Sequence, residues 1–260
     1  MVRKLLGKTA IITGGGSGIG KEICIRFANE GANLVIADVN QTALISISNS
    51  MKQMDITHIF KTVDVREETQ VRNLIAAAVE RFHRVDILVN AAGILGPMST
   101  QIEQLTLEDW HTTLDINLIG SSLTMKYAIP EMKKTGGGSI INFSSTAGLD
   151  PIDGAAPYCV SKAGVIMLSR VAALEYGKDG IRVNAICPDK IDTPMMDAVV
   201  THLEETGLSD VRQNISAGTV LNRFGSAKEI SSLALFLACE EDSSFITGGY
   251  LLADGGSMCK

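Results

Sequence analysis

Seven short β-prone runs, residues 9–13, 33–37, 58–63, 86–90, 139–144, 181–186 and 250–252, recur along the chain. Between them lie longer stretches whose apolar residues return at helical spacing, among them residues 18–29, 67–82, 106–133, 157–176 and 227–237. Such alternation predicts strand–helix–strand crossovers, and hence a parallel sheet. Leu34-Val35-Ile36-Ala37 and Ile87-Leu88-Val89 are continuously apolar, as strands covered on both faces are. No linker, charge block or internal repeat divides the 260 residues, so one α/β domain spanning 1–260 is expected. It would be a doubly wound, seven-stranded parallel sheet with helices on both faces. Residues 189–226 form the one irregular stretch. They follow the sixth strand, where ligands of open parallel sheets sit, so a lid or substrate loop is expected there.

Composition narrows the function. Apolar residues at 45% and charged residues at 20% suffice for a sizeable core and argue against a disordered chain. The 23 basic residues are scattered against 29 acidic ones, giving a net charge of −6 and no basic stripe for nucleic acid. Cys24, Cys159, Cys187, Cys239 and Cys259 are odd in number and far apart, with no C-x-x-C pair. That pattern suits neither a disulfide framework nor a zinc site, so reduced thiols and no metal are expected. The basic residues of segment 2–8 precede an apolar stretch of only residues 10–12, too short for a signal-peptide core. The later apolar run 233–239 falls far below the roughly 18 residues needed to cross a bilayer. The reading is a cytoplasmic protein with no membrane partner.

Thr13-Gly14-Gly15-Gly16-Ser17-Gly18-Ile19-Gly20 follows the first predicted strand and opens the first predicted helix. In that context Gly14 serves the turn, Gly18 lets backbone approach a pyrophosphate, and Gly20 allows tight packing of helix on sheet. The helix N-terminus then faces the phosphates. Asp38 ends the second run, where its carboxylate can accept from both hydroxyls of an adenosine ribose. It would repel a 2′-phosphate, and the nearby Ser17 and Val39 supply no cation to offset it; NAD is the expected cofactor. Asp64 closes the third run and could accept from the adenine amino group or cap the following helix. Asn90-Ala91-Ala92-Gly93 closes the fourth, its small residues allowing backbone to touch the ligand.

Tyr158 and Lys162 stand four residues apart at a predicted helix start and so project from one face. A tyrosine, with an ordinary pKa of about 10, needs a nearby cation to act as a base at neutral pH, and Lys162 is placed to be that cation. Ser145, just past the apolar strand Ile140-Ile141-Asn142-Phe143, can polarise a carbonyl at the sheet's carboxyl edge. A serine hydrolase is excluded by the lack of a G-x-S-x-G elbow and of a partner motif around His58, His83, His111 or His202.

Through TGGGSGIG, NAAG, NFSST, YCVSK and NAICP, in this order over nearly the whole chain, the sequence resembles the short-chain dehydrogenase/reductase family, whose members have a Rossmann fold. The resemblance implies a dinucleotide-binding half at about 1–150 and a catalytic and substrate-binding half at about 139–260. It implies that Tyr158 is the acid/base, that Lys162 lowers its pKa and binds the nicotinamide ribose, and that Ser145 holds the substrate oxygen. Asn117, in Asp115-Ile116-Asn117, matches an asparagine that helps carry a water chain from the lysine. The cofactor contacts it implies are Gly14, Ser17, Gly18, Ile19, Gly20, Asp38, Val39, Asp64, Val65, Asn90, Ala91, Ala92, Gly93, Tyr158, Lys162, Pro188 and Thr193. Thr193 matches a residue that bonds the nicotinamide carboxamide, and it also reads as a helix N-cap before Pro194.

Asp189 departs from the family, which usually has glycine after the NAICP motif. A non-glycine residue tolerates positive φ less well, so an altered loop is expected, and its carboxylate could favour the positively charged oxidised nicotinamide. Met195, Met196, Val199, Val200 and Leu203 resemble the family's mobile substrate lid, ending at a turn near Gly207. With Ala92, Ile94, Leu95, Ala147, Leu149 and Ile152 they suggest a pocket for an uncharged alcohol or ketone. The expected activity is NAD-dependent hydride transfer between a secondary alcohol and a ketone. Alternatives are a 3-oxoacyl thioester reductase of the same fold and a non-catalytic NAD-binding scaffold. Similar proteins are usually tetramers, so a homotetramer is expected by analogy.

Overall fold

Alternate residues of the central strands point into different cores: Ile12, Ile36, Val89 and Ile141 into one, Ile11, Val35, Leu88 and Ile140 into the other. This period-two division explains the unbroken apolar runs, because both faces of the sheet are covered. The computed structural model describes residues 3–52 and 57–259. Val2 and Lys260, at the limits of the basic N-terminal stretch and the C-terminal tail, lie outside them.

The strands are β1 (Thr9–Thr13), β2 (Asn33–Asp38), β3 (His58–Thr62), β4 (Ile87–Asn90), β5 (Gly138–Phe143), β6 (Ile181–Pro188), the two-residue β7 (Ile191–Asp192) and β8 (Gly225–Ser226), and β9 (Tyr250–Ala253). Seven of them form a sheet of order β3-β2-β1-β4-β5-β6-β9, parallel at every junction. The order reverses between β1 and β4, and there, at the carboxyl ends, a ligand crevice belongs. Helices α1 (Gly18–Asn29), α2 (Gln41–Met51) and α9 (Ala227–Ala238) cover one face through Phe27, Ile47 and Leu235. On the other face lie α3 (Glu68–Phe82), α5 (Gly120–Lys134) and α6 (Ala156–Tyr176), with Leu74, Met132 and Ala172.

The segment predicted as a single helix at 106–133 is divided. Helix α4 (Leu107–Leu114) starts at a capping box between Thr106 and Asp109, and a π turn over Asp115–Ile119 separates it from α5. One extra residue in a helical turn reorients the side chains around it, and such turns are frequent at functional sites. Residues 189–226 are less irregular than expected: they hold the paired β7 and β8 together with α7 (Pro194–Glu205) and α8 (Val211–Ala217). The turn at Gly207 is present, with φ of 91°. The remaining helix is α10 (Glu240–Ser243).

Candidate active site

The turn from β1 into α1 is shaped by its glycines. Gly14 and Gly18 adopt φ of 66° and 49°, a region that a side chain disfavours. A Cβ at Gly14 would lie 2.7 Å from the Ala91 carbonyl oxygen, and one at Gly20 only 2.1 Å from the Gly14 carbonyl oxygen. The loop therefore packs directly on the end of β4 and brings the start of α1 to the crevice. An open cleft runs along this edge. Of the expected cofactor contacts, Gly14, Ser17, Gly18, Ile19, Gly20, Asp38, Val39, Asp64, Val65, Ala91, Ala92, Gly93 and Thr193 line it.

Asp38 holds the loop and keeps capacity for a ligand. Its two oxygens accept, respectively, from Gly16 N and Asn40 N, both at 2.9 Å, and each carboxylate oxygen has a second lone pair. At Asp64 the carboxylate grips Arg66, with Oδ2 2.7 Å from a guanidinium nitrogen and Oδ1 3.0 Å from the Arg66 amide. That pairing holds the Asp64 carboxyl below its ordinary range. The N-cap of α3 is Glu67 and not Asp64. Arg66 itself lines the cleft, a cation the sequence reading missed because it lies outside the glycine motif and the acid that follows it.

Four expected contacts, Asn90, Tyr158, Lys162 and Pro188, stand away from the cleft lining. Asn90 turns its amide into a buried network, donating to Asn142 at 2.8 Å and accepting from the Thr124 hydroxyl at 2.6 Å. Its role is to join β4, β5 and α5, a use that its position in NAAG does not reveal. Pro188 ends β6 with its carbonyl 3.5 Å from Ser145 Oγ. Thr193 fills both of its expected places, since it lines the cleft and caps α7 by accepting from Met196 N at 3.4 Å.

Beyond Gly93 the side chains expected to be catalytic converge. A Cβ at Gly93 would lie 3.2 Å from Asn117 Oδ1 and 3.4 Å from Lys162 Nζ. Asn117 is buried within the π turn, accepts from Ile94 N at 2.8 Å, and donates to the Ile94 carbonyl at 2.9 Å and to Ser161 Oγ at 3.0 Å. The widened turn thus locks the asparagine to the segment after β4 and to α6. Ser145 accepts from Ala147 N at 3.1 Å, which fixes its hydroxyl at the tip of β5.

Burial governs the electrostatics here. It pushes the Tyr158 phenol above its ordinary value; a hydrogen bond with Ser145 works against this, and Cys159 and Asp189 add to the rise. Lys162 is 5% exposed, and burial brings its ammonium down to about 8. Desolvation is the largest influence on the phenol, and it disfavours the phenolate.

Asp189 does not distort the loop as expected. The described non-glycine residues with positive φ are His83, Ser99, Asp210 and Asn222, so Asp189 is outside that region. Its carboxylate accepts from the Thr146 hydroxyl at 3.1 Å and pairs with Lys190, which offsets the charge that was expected to favour oxidised nicotinamide.

Glycine turn, strand-end acid, half-buried Ser145 and buried Tyr158 and Lys162 lie in one chain in the order typical of short-chain dehydrogenases. The profile of the family described as "Enoyl-(Acyl carrier protein) reductase" matches residues 14–258. The chain belongs to the short-chain dehydrogenase/reductase family. It is similar to the 2,5-dichloro-2,5-cyclohexadiene-1,4-diol dehydrogenase LinX of Sphingobium indicum, at 38% identity over 98% of each chain. Among solved structures, levodione reductase superposes with a TM-score of 0.94 at 32% identity, covering 98% of this chain and 100% of that one. Carveol dehydrogenase from Mycobacterium avium, solved in complex with NAD, gives 0.93 at 31% identity over 99% of both chains.

Proposed function

We propose that the chain is an NAD-dependent dehydrogenase of secondary alcohols, and equally a reductase of the matching ketones, with Tyr158 as acid/base. The observation that carries this reading is the convergence of Ser145, Tyr158, Asn117 and Lys162 beside a cleft that ends in the glycine turn and Asp38. The donor set suits a dinucleotide: a glycine cradle that any Cβ at Gly14 or Gly20 would fill, and a carboxylate with free lone pairs for ribose hydroxyls. Asp38 also disfavours a 2′-phosphate, and the cleft cation Arg66 is occupied by Asp64. Bound nicotinamide supplies hydride acceptance or return. The chain's residues do the rest. Tyr158 Oη takes the proton from the alcohol or returns it to the ketone oxygen, Ser145 Oγ holds that oxygen, and Lys162 and Asn117 sit where a proton can be relayed onward.

Apolar Ile94, Met195 and Leu95 near the reacting groups favour an uncharged substrate, and the diol named for the Sphingobium relative supports a cyclic one. Residues 189–226, with α7 and α8, would be its lid. The Ser145, Tyr158 and Lys162 set argues against a non-catalytic scaffold, and Asp38 against an NADPH-using thioester reductase. For assembly, exposed Val160, Met167, Val171 and Leu174 along α6, together with Phe245 and Tyr250 near the C-terminus, support a homotetramer. Five free cysteines support a reducing, cytoplasmic setting, and among the described residues no helix is long and apolar enough to cross a membrane.

The test is a panel of cyclohexanol, cyclic diols and 3-hydroxyacyl thioesters offered with NAD⁺ or NADP⁺ at alkaline pH. NADH formation from the cyclic alcohols is expected. Preference for a thioester with NADP⁺, or NADH binding without turnover of any member, would replace this reading by one of the two alternatives.

A further inference from the structure

Asp189 stands at a junction of four parts of the molecule. Its Oδ1 accepts from Thr146 Oγ1 at 3.1 Å, one residue along from Ser145, whose own Oγ faces the Pro188 carbonyl at 3.5 Å. Neighbouring residues of the Ser145 turn are thus held by neighbouring residues at the end of β6, as two rungs of a ladder. Its Oδ2 pairs with Lys190. The Lys190 side chain lies against the end of α8, since a Cβ at Gly218 would be 3.0 Å from Lys190 Cε. Backbone bonds complete the junction: Asp189 N donates to the Ala253 carbonyl at 3.4 Å, and Gly225 N to the Lys190 carbonyl at 2.9 Å. Glycine, usual in this family at the position, could supply the backbone bond but neither the Thr146 rung nor the Lys190 pair.

We infer that Asp189 is a positioning residue: it braces the turn carrying Ser145 against the lid segment and presents a negative charge to the Tyr158 phenol. The inference rests on the dehydrogenase reading above. Cys159 and Asp189 act on that phenol and Lys162 approaches its ring, while Cys187 at the end of β6 faces Lys162 and Lys190 pairs with Asp189. Of these, Asp189 is a carboxylate on an element other than the phenol's own. It adds to the burial that pushes the Tyr158 phenol up, and its contact with Thr146 places the carboxylate one residue from Ser145.

The experiment compares Asp189→Ala, Asp189→Asn, Thr146→Val and the Asp189→Ala/Thr146→Val pair. Steady-state kcat and KM are measured for cyclohexanol with NAD⁺, and Tyr158 is titrated by ultraviolet difference absorbance against Tyr158→Phe. Asp189→Ala should lower kcat about tenfold with little change in KM, and the pair should be no worse than the poorer single variant, because both remove one contact. Asparagine keeps an oxygen for Thr146 and should recover most of the lost kcat, yet move the Tyr158 titration to lower pH. Lys190→Met, which frees the carboxylate, should move it to higher pH. Additive losses in the pair, or an unchanged kcat in Asp189→Ala, overturn the brace. Should the wild type oxidise no alcohol, the dehydrogenase reading fails on its own; the titration still decides, and a Tyr158 midpoint unmoved in both Asp189→Asn and Lys190→Met overturns the role of Asp189.

Discussion

Lys162 Nζ lies 5.6 Å from the centre of the Tyr158 ring and donates to the Phe143 carbonyl at 2.9 Å. The cation therefore approaches the ring while its described bond goes to the β5 backbone. Both groups are desolvated, so the phenol is pushed up and the ammonium down to about 8. Holding a charge in this place lowers stability, and that penalty has a pH signature.

An unfolded Lys162 keeps its proton to about pH 10.5, whereas the folded one loses it near 8. Between those values the unfolded chain binds more protons, so this group makes stability rise with pH across the window. The span corresponds to roughly 3 kcal/mol as an upper figure. Lys162→Met should remove that rise. In denaturant titrations at pH 7, 8, 9 and 10, the variant's stability relative to wild type should be greatest at pH 7 and decline toward pH 10. Tyr158 contributes the opposite slope only above about pH 10, because its folded value is raised.

Tyr158→Phe removes the proposed proton-transfer group and leaves the ring. Alcohol oxidation should fall by about 10² to 10⁴ in kcat, while NADH binding, followed by fluorescence, should change little because the cleft lining is untouched. Loss of binding together with turnover would assign the tyrosine to the cofactor site alone.

Asp38→Asn removes the charge proposed to oppose a 2′-phosphate and weakens the proposed acceptor for ribose hydroxyls. Hydrogen bonds to a charged group contribute roughly 1.5–3 kcal/mol each. The kcat/KM for NAD⁺ should therefore drop about tenfold or more, while the value for NADP⁺ rises. An unaltered ratio between the two cofactors would remove Asp38 from the ribose site.

These sites were legible to different depths. Strands such as β1, β2 and β4 could be read because doubly covered strands are apolar at every position, and glycines 14, 18 and 20 because their spacing is a steric requirement. Helix α2 was not named in advance. Its sequence, QTALISISNSM, is rich in serine and β-branched residues with weak helix propensity, and burial of Leu44, Ile47 and Met51 decides its state. Arg66 and the inward turn of Asn90 depend on partners distant in sequence or outside any motif. The backbone of Asp189 was misjudged because a family glycine signals permissiveness, not that positive φ is required.

Leu174 is 85% exposed on α6, on the same helix face as Met167 and Val171. Leu174→Glu should lower the particle mass measured by light scattering below that of the wild type, with far-ultraviolet circular dichroism unchanged. An equal mass would move the contact surface elsewhere.

The π turn over Asp115–Ile119 makes the distance between Thr106 and Lys134 a matter of residue count. Removing one residue there would let an uninterrupted α-helix form, a local gain in regularity that would swing the amide of Asn117 away from Ile94 and Ser161. A chain of this design tolerates length changes poorly in what looks like plain helix, and freely only where no buried polar side chain depends on phase.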